Sequence, residues 1–330
     1  DCTFGKLKSN GTSDGVAYSG SQGGAIYFRE STEDSNGATC EVGTFTMNNV
    51  DFYGTYSNDS RGGAIYLRSK AITTITMTNF DFKNNNAKAH GGAICIAQQD
   101  AGVSLGSATF TGCTFTNCDI NTTEPSGRGG AIRMALTTEA PVTFNDCDFT
   151  DCYAGSNGGA LSIQGKVGNF TIENGCTFSN NEAMGARGGA VSVACSKIGN
   201  ITLSGSSFSG NTAGTLGGGL HFGMDGATSP ISAGAVSISG CTFSNNTSAG
   251  LGGGMCLTDG TYASVSLTNS TFDHCTSANF GGGFAMKCYA EDKKDVVPVK
   301  VTGDTIISGC TFTNCLAGAL SPDGYQDTAK

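Results

Sequence analysis

Residues Cys176–Val193 read CTFSNNEAMGARGGAVSV, and the same phrase returns at Ser206–Phe222 as SSFSGNTAGTLGGGLHF. Both hold a Cys/Ser-x-Phe triplet, an Asn three residues past the Phe, and a Gly-Gly-(Ala/Gly)-apolar tetrapeptide. Working outward, the tetrapeptide begins at Gly23, Gly62, Gly91, Gly129, Gly158, Gly188, Gly217, Gly252 and Gly281. Four of the eight spacings are 29 residues, so 29 is the base period and the longer spacings carry insertions. A fixed period of this length marks a solenoid, whose repeats bury their apolar faces only by stacking on one another.

The element inside each repeat is a strand. Ahead of the Cys-x-Phe triplet come pairs such as Val142 and Phe144, Ile201 and Leu203, and Val236 and Ile238, separated by Thr143, Thr202 and Ser237. Alternation of period two between Gly- and Asn-rich breaks is a strand signature, and no stretch sustains a helical period. The expectation is an all-β, parallel, right-handed β-helix of nine to ten coils. Each coil has three short strands: apolar-x-apolar, Cys-x-Phe, and Gly-Gly-Ala-apolar-x-apolar. Glycines are expected where the next coil approaches closely. The Asn after the Phe is expected both to adopt the left-handed conformation and to pair its amide with the next coil. The repeat runs without a linker, so residues 1–330 form one domain.

Only 14% of residues are charged, as stacked columns of like charge would repel one another. A net charge of −9 with 18 Lys plus Arg argues against nucleic acid as partner. No apolar run is long enough to span a membrane and no secretory signal is present. Because the chain opens mid-coil at Cys2-Thr3-Phe4, it reads as a mature product or a fragment, extracellular or at a cell surface.

Fifteen cysteines fall mostly in two columns, two before the Phe (Cys2, Cys113, Cys147, Cys176, Cys241, Cys310) and three after it (Cys118, Cys152, Cys275, Cys315). They read as a buried thiol ladder or as disulfides within a coil, the candidates being Cys113/Cys118, Cys147/Cys152 and Cys310/Cys315. No zinc-type spacing occurs, so neither metal nor cofactor is expected. Glycosylation sequons begin at Asn10, Asn58, Asn121, Asn169, Asn200, Asn245, Asn246 and Asn269, in a chain so rich in Asn, Ser and Thr that several arise by chance.

The copies of Gly-Gly-Ala-(Ile/Leu/Val) at Gly23, Gly62, Gly91, Gly129, Gly158 and Gly188 combine with four Phe-x-x-Asn copies, Phe82–Asn85, Phe178–Asn181, Phe208–Asn211 and Phe243–Asn246. Together they resemble the paired repeat of the chlamydial polymorphic outer membrane protein family and similar repeat proteins of other bacteria and some protists. The resemblance implies a secreted β-helical passenger that acts as an adhesin. Departures are the Gly-Gly-Gly form of the last three copies, Cys in place of Asn in four coils, and no C-terminal stretch like a membrane barrel.

Two other functions are open. A carbohydrate-active enzyme would need clustered outward carboxylates, for which Asp51 and Asp81 in adjacent coils, or Asp146, Asp148 and Asp151 in one coil, are the candidates. An ice-binding face would use the Thr/Ser pairs flanking the Phe column, such as Thr114 and Thr116 or Thr242 and Ser244. The principal expectation is a non-enzymatic surface protein that meets a protein or glycan partner and associates end to end.

The residue before Gly-Gly changes along the chain. It is polar in six coils (Gln22, Arg61, His90, Arg128, Asn157, Arg187) and apolar in three (Leu216, Leu251, Phe280). It reads as packing, the large side chain folding over the space the Ala methyl would fill, or as a basic stripe for anionic glycans followed by an apolar stripe for a protein. The insertions in residues 29–44, 97–107, 223–235 and 287–304 share one phase and are expected to form a single lateral ridge, with 116–128 on another edge.

Overall fold

The computed structural model describes residues 2–5, 18–20, 23–29, 41–58, 61–97, 102–120, 125–223, 231–286 and 299–318. Among them every regular element is a strand, and every strand pairing is parallel to the equivalent strand one coil away. Three sheets result, two of ten strands and one of nineteen. The chain is a parallel β-solenoid.

The division of strands among sheets differs from the expectation in one respect. The Phe sheet runs from Cys2–Gly5 through Asp81–Lys83 and Thr177–Ser179 to Thr311–Thr313. The Gly-Gly strand and the apolar-x-apolar strand share the nineteen-stranded sheet, because Val191–Ile198 pairs with both Leu220–Phe222 and Ile231–Ser239. The remaining sheet is built from rungs as short as Glu182–Ala183 and Thr212–Ala213. Two residues are too few to show a period, and such a rung reads as turn.

Alternation puts one side chain in two into the core. Val142, Phe144, Ile201 and Leu203 are fully buried. At the centre a Phe ladder (Phe52, Phe82, Phe115, Phe149, Phe178, Phe208, Phe243, Phe272, Phe312) has ring centroids 4.6–4.9 Å apart and near-parallel planes. That spacing is the strand spacing itself, so each ring stacks on the next without distorting the ladder. The second Gly of each pair is fixed by the same closeness. A methyl on Gly63 or Gly189 would collide with the carbonyl oxygen of Gly92 or Gly218 in the next coil.

The two roles expected of one Asn are divided between neighbours. The left-handed residue is the second after the Phe: Asn84, Asn117, Asp151, Asn180, Asn245, His274 and Asn314 have φ of 49–56°, and Gly54 and Gly210 serve in their place in two coils. The third, Asn85, Asn181, Asn211 and Asn246, is wholly buried. Its Nδ2 donates to the carbonyl of Phe52, Phe149, Phe178 or Phe208 at 2.8–3.0 Å. Cysteine keeps this bond in four other coils. The thiols of Cys118, Cys152, Cys275 and Cys315 donate to the carbonyls of Phe82, Phe115, Phe243 and Phe272 at 3.4–3.7 Å.

The thiol ladder replaces the disulfide alternative. Cys113, Cys118, Cys147, Cys152, Cys310 and Cys315 are all free. Cys113 and Cys118 lie at opposite ends of one Phe strand, Thr114–Thr116, so the nearest thiols belong to other coils. Cys176 Sγ lies 3.2 Å from the Cys147 backbone nitrogen, and burial beside Cys118 pushes the Cys152 thiol well above its usual range.

The inserted segments leave and rejoin the solenoid at one phase. Phe28, Ile96, Phe222 and Met286 occupy one column through Leu67, Met134, Ile163, Val193 and Leu257, and Phe45, Ala108, Val236 and Thr305 another. The ridge itself, like the 121–124 turn and the tail from Ser321, lies mostly outside the described residues.

Candidate functional site

The residue before each Gly-Gly pair forms a continuous edge column. Arg61 bridges to His90 and His90 to Arg128; Arg187 bridges to Leu216, Leu216 to Leu251 and Leu251 to Phe280. Gln22 lies outside the described residues. The left-handed first Gly (Gly62 at φ 65°, Gly91 at 63°, Gly129 at 66°) turns the chain sharply, laying this column beside the outer face of the following strand.

That outer face is covered, which the alternation does not predict. Ile65 and Leu67, or Ile94 and Ile96, enter the main core, whereas Tyr66 and Cys95 join Ala97 and Ala135 in a separate small cluster, all buried. Arg133 continues their column between Ile132 and Met134 and is only 4% exposed. His90 Nδ1 accepts the Arg128 backbone N–H at 3.2 Å. Burial, with Arg133, Arg61 and Arg128 nearby, lowers the His90 pKa to about 2, so this histidine is neutral and the stripe's charge is carried by arginines. Arg128 Nη1 and Arg133 Nη2 both donate to Gln164 Oε1, at 3.0 and 3.5 Å. Sequence reasoning missed Arg133 and Gln164, although a lone Arg amid the apolar run Ile132–Leu136 was a visible signal.

The apolar stripe divides. Leu216 is buried and Leu251 half-buried, both against Cys256 and Ala285, while Phe280 is 74% exposed. None fills the space of the missing Ala methyl, which lies on the core side. There a Cβ on Gly254 or Gly283 would meet the ring of Phe272 or Phe312 at 2.9 Å. The two changes in the last coils therefore belong to opposite faces of the strand.

On the Phe sheet Asp51 and Asp81 are register neighbours. Asp81 is held from both sides: Tyr53 Oη donates to Oδ2 at 2.8 Å and Thr114 Oγ1 to Oδ1 at 2.7 Å. Burial and then this hydrogen bond raise the Tyr53 pKa. Asp146 and Asp151 are left-handed turn residues, and Asp148 accepts the Thr177 hydroxyl. Asp119, named by neither carboxylate group, is raised to about 6 by burial while accepting the Tyr153 N–H. Among the described residues no group of three or more His, Cys, Asp or Glu could hold a metal, and no helix is long and apolar enough to cross a membrane.

The sequons separate by burial. Asn58, Asn169, Asn200, Asn245 and Asn269 are exposed. Asn246 is corrected: it is fully buried, and its Nδ2 donates to Phe208 O, so it has no room for a glycan. Asn10 and Asn121 lie outside the described residues.

Compared with known proteins, the chain matches no family model, no curated protein and no solved structure.

Proposed function

We propose that this chain is the β-helix of an extracellular or cell-surface protein that is not an enzyme. It works through its outer columns, as an adhesin or as a subunit of a surface or filament assembly. The observation that carries the reading is how the outward carboxylates are held. Asp81 lies between the hydroxyls of Tyr53 and Thr114, and Asp148 accepts from Thr177, so these groups tie coils together along the face. A paired-carboxylate hydrolase needs one carboxyl free as acid and one as base or nucleophile. The likeness to polymorphic outer membrane repeats, on Gly-Gly-Ala and Phe-x-x-Asn, supports adhesion in particular. Ile307 and Phe312 of the last described coil offer an apolar face that a further coil, of this chain or of a second copy stacked end to end, would cover. They stand in the inward columns of Leu267 and Phe272 yet are 51% and 45% exposed.

A carbohydrate-active enzyme is the second reading, because Asp51 and Asp81 are one strand spacing apart, near the roughly 5–5.5 Å of a retaining pair. A water-ordering face is the third, favoured by the registered Thr/Ser columns from Thr114 to Thr311 and interrupted by Asp148 and Asp273. One set of measurements separates them. Labelled protein should be retained on arrays of extracellular proteins or glycans, release no new ends from polysaccharides, and show no thermal hysteresis. Polysaccharide cleavage that disappears in Asp81→Asn would overturn the non-enzymatic reading.

A further inference from the structure

The basic column lies over a place where cations outnumber acceptors. Arg133 faces away from the core, beside Cys95 of one neighbouring coil and Ser162 of the other. It is nine-tenths buried, and its Nε and Nη1 have no hydrogen-bond partner. Arg128 Nε is likewise buried without one. A single neutral oxygen, Gln164 Oε1, serves both guanidinium groups. His90 contributes no negative charge; with Nδ1 accepting from Arg128 N, its proton sits on Nε2, a further donor. The ion pairs found among the described residues are Lys197–Glu139 and His274–Asp273, neither at this place.

A buried guanidinium beside a half-buried one, with no counter-charge against either among the described residues, is costly, and their repulsion adds to that cost. Each retains unused donors. A tetrahedral oxyanion offers several acceptor oxygens and matches the fork of a guanidinium better than a halide does. We propose that Arg128 and Arg133, with His90 and Gln164 beside them, form a binding site for a sulfate- or phosphate-type oxyanion, carried as a free ion or as an ester on an acidic sugar. The ester source rests on the surface-binding reading above; the site for the anion does not.

Inorganic sulfate is the first probe, titrated into thermal unfolding at ionic strength held constant with chloride. A sulfated disaccharide and its unsulfated parent follow. Sulfate should raise the unfolding temperature more than chloride. Gln164→Glu, which sets a carboxylate against both arginines, should weaken the sulfate response by about 10-fold or more and stabilise the sulfate-free protein. Arg128→Gln, at a half-buried position, should also lose the response, which keeps the test usable if Arg133→Met fails to fold. Equal effects of sulfate and chloride, or an unchanged response in Gln164→Glu, would overturn the site. A sulfate response without binding of the sulfated sugar supports the site and removes the glycan as its source. Retention on glycan arrays without a sulfate response overturns the site and leaves the surface reading standing.

Discussion

Asn211 donates its side-chain amide to Asn246 Oδ1, 2.9 Å away in the next coil, and its backbone N–H to the same oxygen at 3.0 Å. Its own Oδ1 receives the same pair of bonds from Asn181. Every polar atom of this buried side chain thus depends on a neighbouring coil, which makes the column a measure of how firmly coils are joined.

Asn211→Ala should lower stability by about 2–4 kcal/mol, since it removes the buried bonds to the Phe178 carbonyl and to Asn246 Oδ1 and leaves the Asn181 backbone N–H without its side-chain acceptor. Asn211→Cys should cost less than half as much, because Cys152 already makes the equivalent bond to Phe115 O. Urea unfolding of the two variants checks the ordering. Equal losses would mean that the thiol bond is not a working substitute.

Glycines in this chain should divide sharply by position. Gly189→Ala drives a methyl into the Gly218 backbone and should prevent coil stacking, giving insoluble or unfolded protein. Gly43→Ala has nothing within 4 Å of the added methyl and no positive φ, so it should be neutral or stabilise by up to about 1 kcal/mol. Circular dichroism and thermal melts of both variants decide this.

The His90 pKa, lowered to about 2 by burial and the surrounding arginines, sets a pH window. Folding keeps this imidazole neutral while the unfolded chain protonates it near 6.5. Its contribution is therefore complete above about pH 6.5 and lost as pH falls from there towards 2, by at most ~1.4 kcal/mol per pH unit. His90→Gln should show a shallower decline in unfolding midpoint between pH 6.5 and 4. Parallel declines in the two proteins would show that His90 is solvated in solution.

Ile307 and Phe312 should govern self-association. Sedimentation of the native protein should show mass rising with concentration, and Ile307→Glu with Phe312→Ser should hold it monomeric. If mass is independent of concentration in the native protein, end-to-end association through this coil is wrong.

The sequence by itself determined the architecture. The Gly-Gly phrase at 29-residue spacing and the alternation of pairs such as Ile201 and Leu203 leave stacking as the one way to bury the apolar side chains, so period and polarity were enough for the parallel solenoid. Partners across coils needed the tertiary structure. Asn180 and Asn181 are identical letters, yet one turns the chain and the other is buried, because only the strand's direction at the corner decides which side chain points inward. Arg133 and Gln164 are 31 residues apart and meet because their coils stack in register, Ala135 beside Gln164. Which outward residues are covered, and where a buried and a half-buried arginine share one oxygen, depends on the angle between strand and edge column. That angle is a property of the folded coil, and no local pattern of residue types encodes it.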